Sequence, residues 1–171
     1  MKGRIFWAGS DPLIKGLKYY ALASTHLSAK HPELDFRVAG IVDRKIRNLS
    51  ECRNLHFLGR LSKEEMQDEF LQADMFVFPT FAEGLAGVVL ESLAAGCPVV
   101  TTVCSGIDNM HSYNNGVIVP TGDFAAIADA IERLYLDRQL RQDISDASLT
   151  LASFYTLDAW RHRLMNILSG I

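Results

Sequence analysis

The 171-residue sequence holds only three cysteines, Cys52, Cys97 and Cys104, and none lies in a CxxC or Cys/His zinc spacing. So sparse and odd a set excludes a disulfide scaffold and gives no sign of a structural zinc, and a reducing cytoplasm is the simplest setting. There is no GxGxxG dinucleotide fingerprint, no GxxxxGK(S/T) phosphate loop, no HExxH and no GxSxG. Nor is there an Asp-x-Asp pair to hold a metal against a diphosphate. The five histidines, His26, His31, His56, His111 and His162, are scattered and read as surface or capping residues.

An excess of one charge is also missing. Lys plus Arg number 17 against 20 for Asp plus Glu, a net charge of −3, and no long basic block occurs. That balance argues against a nucleic-acid partner. The N-terminal MKGRIFWAGS has too short an apolar stretch for a signal peptide. Residues 84–104 carry a single charge, Glu91, yet a spanning helix would have to bury that acid at a cost of roughly 2.5–3.5 kcal/mol. Gly96 and Pro98 break the run into a helix, a tight turn and a buried strand. We find no transmembrane segment, internal repeat, linker or low-complexity tract.

What is present is an alternation of short apolar runs and helical periodicities. Strands are expected at Ile5–Ala8, Phe36–Val42, Leu55–Leu58, Met75–Phe78, Val99–Val103 and Val117–Val119. Helices are expected at about 15–30, with Leu17, Tyr20, Ser24 and Leu27 on one face, and from the Ser62/Glu65 capping box to about Ala73. Others follow at Leu85–Ala95 and through the C-terminal third, where Ile127, Ile131, Leu134 and Tyr135 share a face. Thr156 caps a final helix, about 156–170, whose Leu157, Trp160, Leu164, Ile167 and Leu168 would pack on the rest. Residues 43–53 read as a polar, basic loop.

The fold class is therefore α/β, a Rossmann-like doubly wound, mostly parallel sheet with helices on both faces, in one domain spanning 1–171. Such sheets bind ligands at the carboxyl ends of their strands.

The segment Pro79–Val100 concentrates the chemistry. Glu83 and Glu91 are separated by seven residues, and Gly84 and Gly87 follow the first of them. Small residues at a helix N-terminus leave backbone N–H groups and a favourable dipole for an anion. A carboxylate at Glu91 is placed to accept two adjacent hydroxyls, as on a ribose. From the stretch alone, a solvated acid on the helix surface is an equal alternative. Lys15, at the start of a helix, opposes that helix's dipole, and either a phosphate partner or plain solvation accounts for it.

Taken in order, these landmarks resemble a known family. Glu83-x7-Glu91, Ala95-Gly96-Cys97-Pro98-Val99-Val100 and Phe57-Leu58-Gly59-Arg60-Leu61 are similar to the donor half of the family 4, group 1, retaining glycosyltransferases. Gly9 with Lys15-Gly16, Asn115-Gly116 and Pro120-Thr121-Gly122-Asp123 complete the pattern from about residue 4 to 155. The resemblance implies the C-terminal domain of a two-domain GT-B enzyme that binds a UDP-, GDP- or ADP-sugar. It implies hexose transfer, with retention, to a glycan or lipid-linked acceptor. Lys15 would neutralise the leaving diphosphate, and Glu83 would touch the hexose. The backbone N–H groups of Leu85, Ala86 and Gly87 would contact sugar and phosphate, with Gly9 and Gly84 in the same substrate-binding site. Glu91 would hold the ribose, and Arg60 and Leu61 would lie near the base. No cofactor and no metal are expected.

Two positions depart from the family pattern: Ser10 stands where an arginine is usual, and Ala86 where a glycine is common. The resemblance implies a further, N-terminal acceptor domain outside these 171 residues, so the chain would be an excised domain or a natural half, expected to be inactive alone. Its setting would be the cytoplasm, with peripheral attachment to a membrane through that N-terminal domain. A catalytically degenerate nucleotide-binding or assembly module and a nucleotide-sugar epimerase are the alternatives.

Overall fold

The computed structural model describes residues 3–112 and 114–169. Six strands, β1 (Arg4–Ala8), β2 (Asp35–Ala39), β3 (Leu55–Gly59), β4 (Met75–Phe78), β5 (Val99–Thr101) and β6 (Val117–Ile118), form one sheet in the order β3-β2-β1-β4-β5-β6. Every pairing is parallel. Apolar residues on both faces make these runs strands of a covered sheet. Ile5 and Trp7 point into one core while Phe6 and Ala8 point into the other, and Met75 and Val77 alternate with Phe76 and Phe78 in the same way. The first core is closed by α1 (Leu17–Ser28) and α5 (Phe124–Leu136), and the second by α3 (Lys63–Gln72) and α4 (Gly87–Ala94). Helix α6 (Arg138–Ser153) adds Ile144 to the first and Leu151 to the second.

Strand order fixes where a ligand can enter. From β1 the chain runs outward through β2 and β3, then returns to lay β4 on the other side of β1. The connections at the carboxyl ends of β1 and β4 therefore diverge, and the crevice between them is the switch point of a doubly wound sheet.

Local signals set several boundaries. Ser62 accepts from the Glu65 N–H while the Glu65 carboxylate accepts from the Ser62 N–H, a complete capping box at the start of α3. Asp123 and Asp137 cap α5 and α6. Thr156 accepts from the Ala159 N–H and starts α7 (Leu157–Ser169).

Some expected limits move. Strand β2 stops at Ala39 rather than Val42, because Gly40 turns away at φ +125°. Strand β5 stops at Thr101, and a 3-10 turn follows at Val103–Ser105. The basic loop at 43–53 contains a one-turn helix, α2 (Arg44–Arg47), capped by Asp43, and a 3-10 turn at Ser50–Cys52. Helix α4 begins at Gly87 instead of Leu85, since the Ala86 N–H is held by the Ser105 carbonyl. The expected packing of the final helix is not what its residues show: α7 buries none of them, with Leu157 84% and Trp160 58% exposed. Among the described residues no helix is long and apolar enough to cross a membrane.

Candidate functional site

A cleft of about 620 Å³ opens at the switch point. The loop after β1 brings Gly9, Ser10 and Lys15 to it, and the loop after β2 brings Gly40 and Ile41. The loop after β3 contributes Arg60 and Leu61, and the loop after β4 contributes Glu83 with Ala86 and Gly87 at the head of α4.

The first loop is tightly held. Asp11 accepts from the N–H groups of Leu13 and Ile14, and the buried Trp7 indole donates to the Lys15 carbonyl at 3.1 Å. Gly16 then adopts φ +71°, and a Cβ there would lie 2.0 Å from the Pro79 carbonyl oxygen. The loops after β1 and β4 are thus in backbone contact, and the Phe81 N–H donates to the Ile14 carbonyl at 2.8 Å. That contact carries the lysine and the glutamate to the same place. Lys15 Nζ lies 2.5 Å from Glu83 Oε1, each side chain 18% exposed. The cation expected at the head of α1 in fact precedes the helix, and an internal carboxylate answers its charge.

Helix α4 points its N-terminus at the cleft. Among the described residues the N–H groups of Leu85, Gly87 and Val88 have no protein partner, whereas the Ala86 N–H is committed to Ser105. The expectation of a free Ala86 donor is corrected accordingly. Nothing lies within 4 Å of where a Cβ would stand at Gly84 or Gly87, so the backbone there is open to close approach. Gly84 borders an adjoining hollow with Glu83 and Cys104, and Leu85 stands exposed outside the cleft wall.

Glu91 does not join Lys15 and Glu83. It lines a second hollow of about 450 Å³ between α3 and α4, floored by Met66 and Phe70. The two cavities are neighbours, with Leu61 and Met66 in the lining of both. Gly40, Ile41, Met66 and Val88 also line the cleft and had not been read from the sequence. A glycine directly after a strand was the available signal for Gly40, whose Cβ would meet the Gly9 carbonyl oxygen at 2.1 Å. No group of three or more His, Cys, Asp or Glu residues is placed to hold a metal ion among the described residues.

Known proteins share both the pattern and the fold. Residues 2–137 match the family model described as glycosyl transferases group 1. The D-inositol 3-phosphate glycosyltransferase of Paenarthrobacter aurescens is 27% identical over 183 residues, covering 96% of this chain and 45% of the relative. The capsular polysaccharide biosynthesis glycosyltransferase CapM of Staphylococcus aureus is 46% identical over 72 residues, 42% of this chain and 19% of its own. The chain thus spans less than half the length of these curated relatives. In structure it resembles the C-terminal domain of the group 1 glycosyl transferase LpcC from Francisella tularensis, with a TM-score of 0.77 and 21% identity over 89% of this chain and 85% of that one. Anabaena HepE, solved with UDP, gives a TM-score of 0.83 at 17% identity over 99% of this chain and 49% of that one. With the family match running from the first strand through α5, on a fold shared with the C-terminal domain of a member, the chain belongs to the group 1 glycosyl transferases.

Proposed function

We propose that this chain is the nucleotide-sugar-binding domain of a glycosyltransferase that moves a hexose from a UDP-, GDP- or ADP-sugar to a glycan or lipid-linked acceptor, with retention. The observation that carries the reading is the Lys15–Glu83 pair at the mouth of α4, in the switch-point crevice. Glycosyl transfer from such a donor builds negative charge on the departing diphosphate. A lysine and a helix N-terminus aimed at that charge lower the barrier, because they are oriented before the bond breaks. The N–H groups of Gly87 and Val88 serve as donors, and Gly84 and Gly87 let the phosphates come close. Glu83 accepts from hexose hydroxyls, which then take the place of Lys15 on its carboxylate. In the neighbouring hollow Glu91 accepts from the ribose hydroxyls. The HepE complexes with UDP and with UDP and glucose support this assignment by likeness of fold.

The acceptor site belongs to the remainder of a longer protein, in keeping with relatives more than twice as long as this chain. The cytoplasm is the proposed setting. Ser10, an exposed hydroxyl on the cleft wall where the family pattern has a cation, favours a second reading, a nucleotide-binding module without turnover.

Titration with UDP, GDP and ADP tests the assignment. Half of a cleft should bind its nucleotide at roughly 0.1–1 mM, equivalent to about −4 to −5.5 kcal/mol. Glu91→Ala should weaken it at least about tenfold through lost charge-assisted hydrogen bonds. A folded chain that binds none of the three nucleotides, or an E91A variant that binds as well as the parent, overturns it.

A further inference from the structure

The charges on the cleft wall single out one side chain. Three charged residues line it: Lys15, Arg60 and Glu83. Lys15 and Glu83 neutralise each other at 2.5 Å. Arg60, exposed at the end of β3, makes no ion pair or hydrogen bond among the described residues. Of the other basic residues on this side, Lys63 lines the neighbouring hollow with Glu91 and is not on the cleft wall. Arg47 lies over the Phe57 ring at 4.9 Å, and Arg44, Lys45 and Arg47 all stand off the cleft wall. The resting cleft therefore presents its net positive charge through Arg60 alone, with the open N-terminus of α4 also lining it.

A diphosphate carries at least two negative charges, and a guanidinium meets phosphate oxygens with two parallel hydrogen bonds where an ammonium offers a point charge. The Lys15 charge reaches the ligand only after Glu83 lets go. We infer that Arg60 is the residue that first captures the donor's diphosphate, and that it remains a phosphate contact rather than a base contact. This rests on the nucleotide-sugar reading and assigns the loop after β3 a second task within it.

The test separates phosphate from base. Chemical-shift titrations of the 171-residue chain with UDP, GDP and ADP select the tightest nucleotide, and its monophosphate and nucleoside are then titrated as well. In R60Q the advantage of diphosphate over nucleoside should fall about tenfold or more, with nucleoside affinity unchanged. R60K should restore part of it, and R60E should remove diphosphate binding while the nucleoside still binds. Far-UV spectra establish that each variant is folded, and R60E and R60K decide the matter should R60Q fail that check. An unchanged diphosphate advantage in R60Q and R60E overturns the inference, as does an equal loss for nucleoside and diphosphate, which marks a base contact. A folded parent chain that binds no nucleotide overturns the nucleotide-sugar reading itself and Arg60's role with it.

Discussion

Gly16 and Gly87 are both glycines beside the cleft, and they answer to different constraints. At Gly16 the backbone sits at φ +71°, where an L side chain costs about 1–2 kcal/mol, and the added Cβ would lie 2.0 Å from the Pro79 carbonyl oxygen. At Gly87 the Cβ meets nothing within 4 Å. Gly16→Ala should therefore lower stability by about 3 kcal/mol or more, because the loop after β4 must also shift. Gly87→Ala should leave the urea midpoint near that of the parent. Equal midpoints for the two variants would refute the difference. The residues of the ion pair were legible in the sequence as members of a family pattern, Lys15 beside Gly16 and Glu83 ahead of Gly84. Their mutual contact was not, since it depends on a backbone approach between positions 16 and 79 that no local pattern encodes. The same holds for Gly40 and Gly9, which meet through the fold alone.

At the scale of elements, the strongest sequence signals were those with their own hydrogen-bonding logic. Ser62 and Glu65 form both bonds of the capping box, at 3.1 and 2.7 Å, so the start of α3 could be read directly. Ser62 is exposed, which isolates the cap from packing. Ser62→Ala should cost about 1 kcal/mol in urea unfolding with no change in slope. A cost near zero would mean the cap adds nothing to α3. Boundaries set by tertiary bonds were harder to read. Helix α4 loses its first two expected residues because Ser105 claims the Ala86 N–H, and β2 ends where Gly40 must pass Gly9. Helix α6 buries Ile144, Ser148 and Leu151, of which only two are strongly apolar. The final helix shows the opposite problem: its apolar stripe is plain in the sequence, but the sequence does not say what covers it.

On the scale of the whole molecule, a polar clasp joins the turn after α1 to α5 across positions about a hundred apart. His31 Nε2 lies 2.8 Å from Glu132 Oε1, Lys30 Nζ lies 3.4 Å from Glu132 Oε2, and the Tyr135 hydroxyl donates to Glu33 at 2.6 Å. The His31 hydrogen bond, with Lys30 behind it, holds the Glu132 carboxyl below the ordinary range, and the Tyr135 hydroxyl does the same for Glu33. A carboxyl lowered in the fold stabilises it above the unfolded value of 4.5 and ceases to do so as pH falls through the folded value. Stability should accordingly fall as pH drops below about 5, and Glu132→Gln should flatten part of that fall. Urea midpoints across that window check it, and identical pH slopes in parent and E132Q would rule out the clasp as a contributor.

The arrangement of the sheet has a kinetic consequence. β1 and β4 are neighbours in its middle, yet the Arg4 N–H donates to a side chain 70 positions away, at Asp74. While β2 can pair with β1 and β3 with β2 as they are made, the other edge of β1 waits for Met75–Phe78 to arrive. Closing so long a loop is slow, because its entropy is lost before the buried Phe6, Trp7 and Phe76 are rewarded. During synthesis, then, the first half of the chain emerges with a bare, strongly apolar strand edge. In that interval the open edge adds to the exposed apolar stripe of α7 as a place for wrong partners to attach.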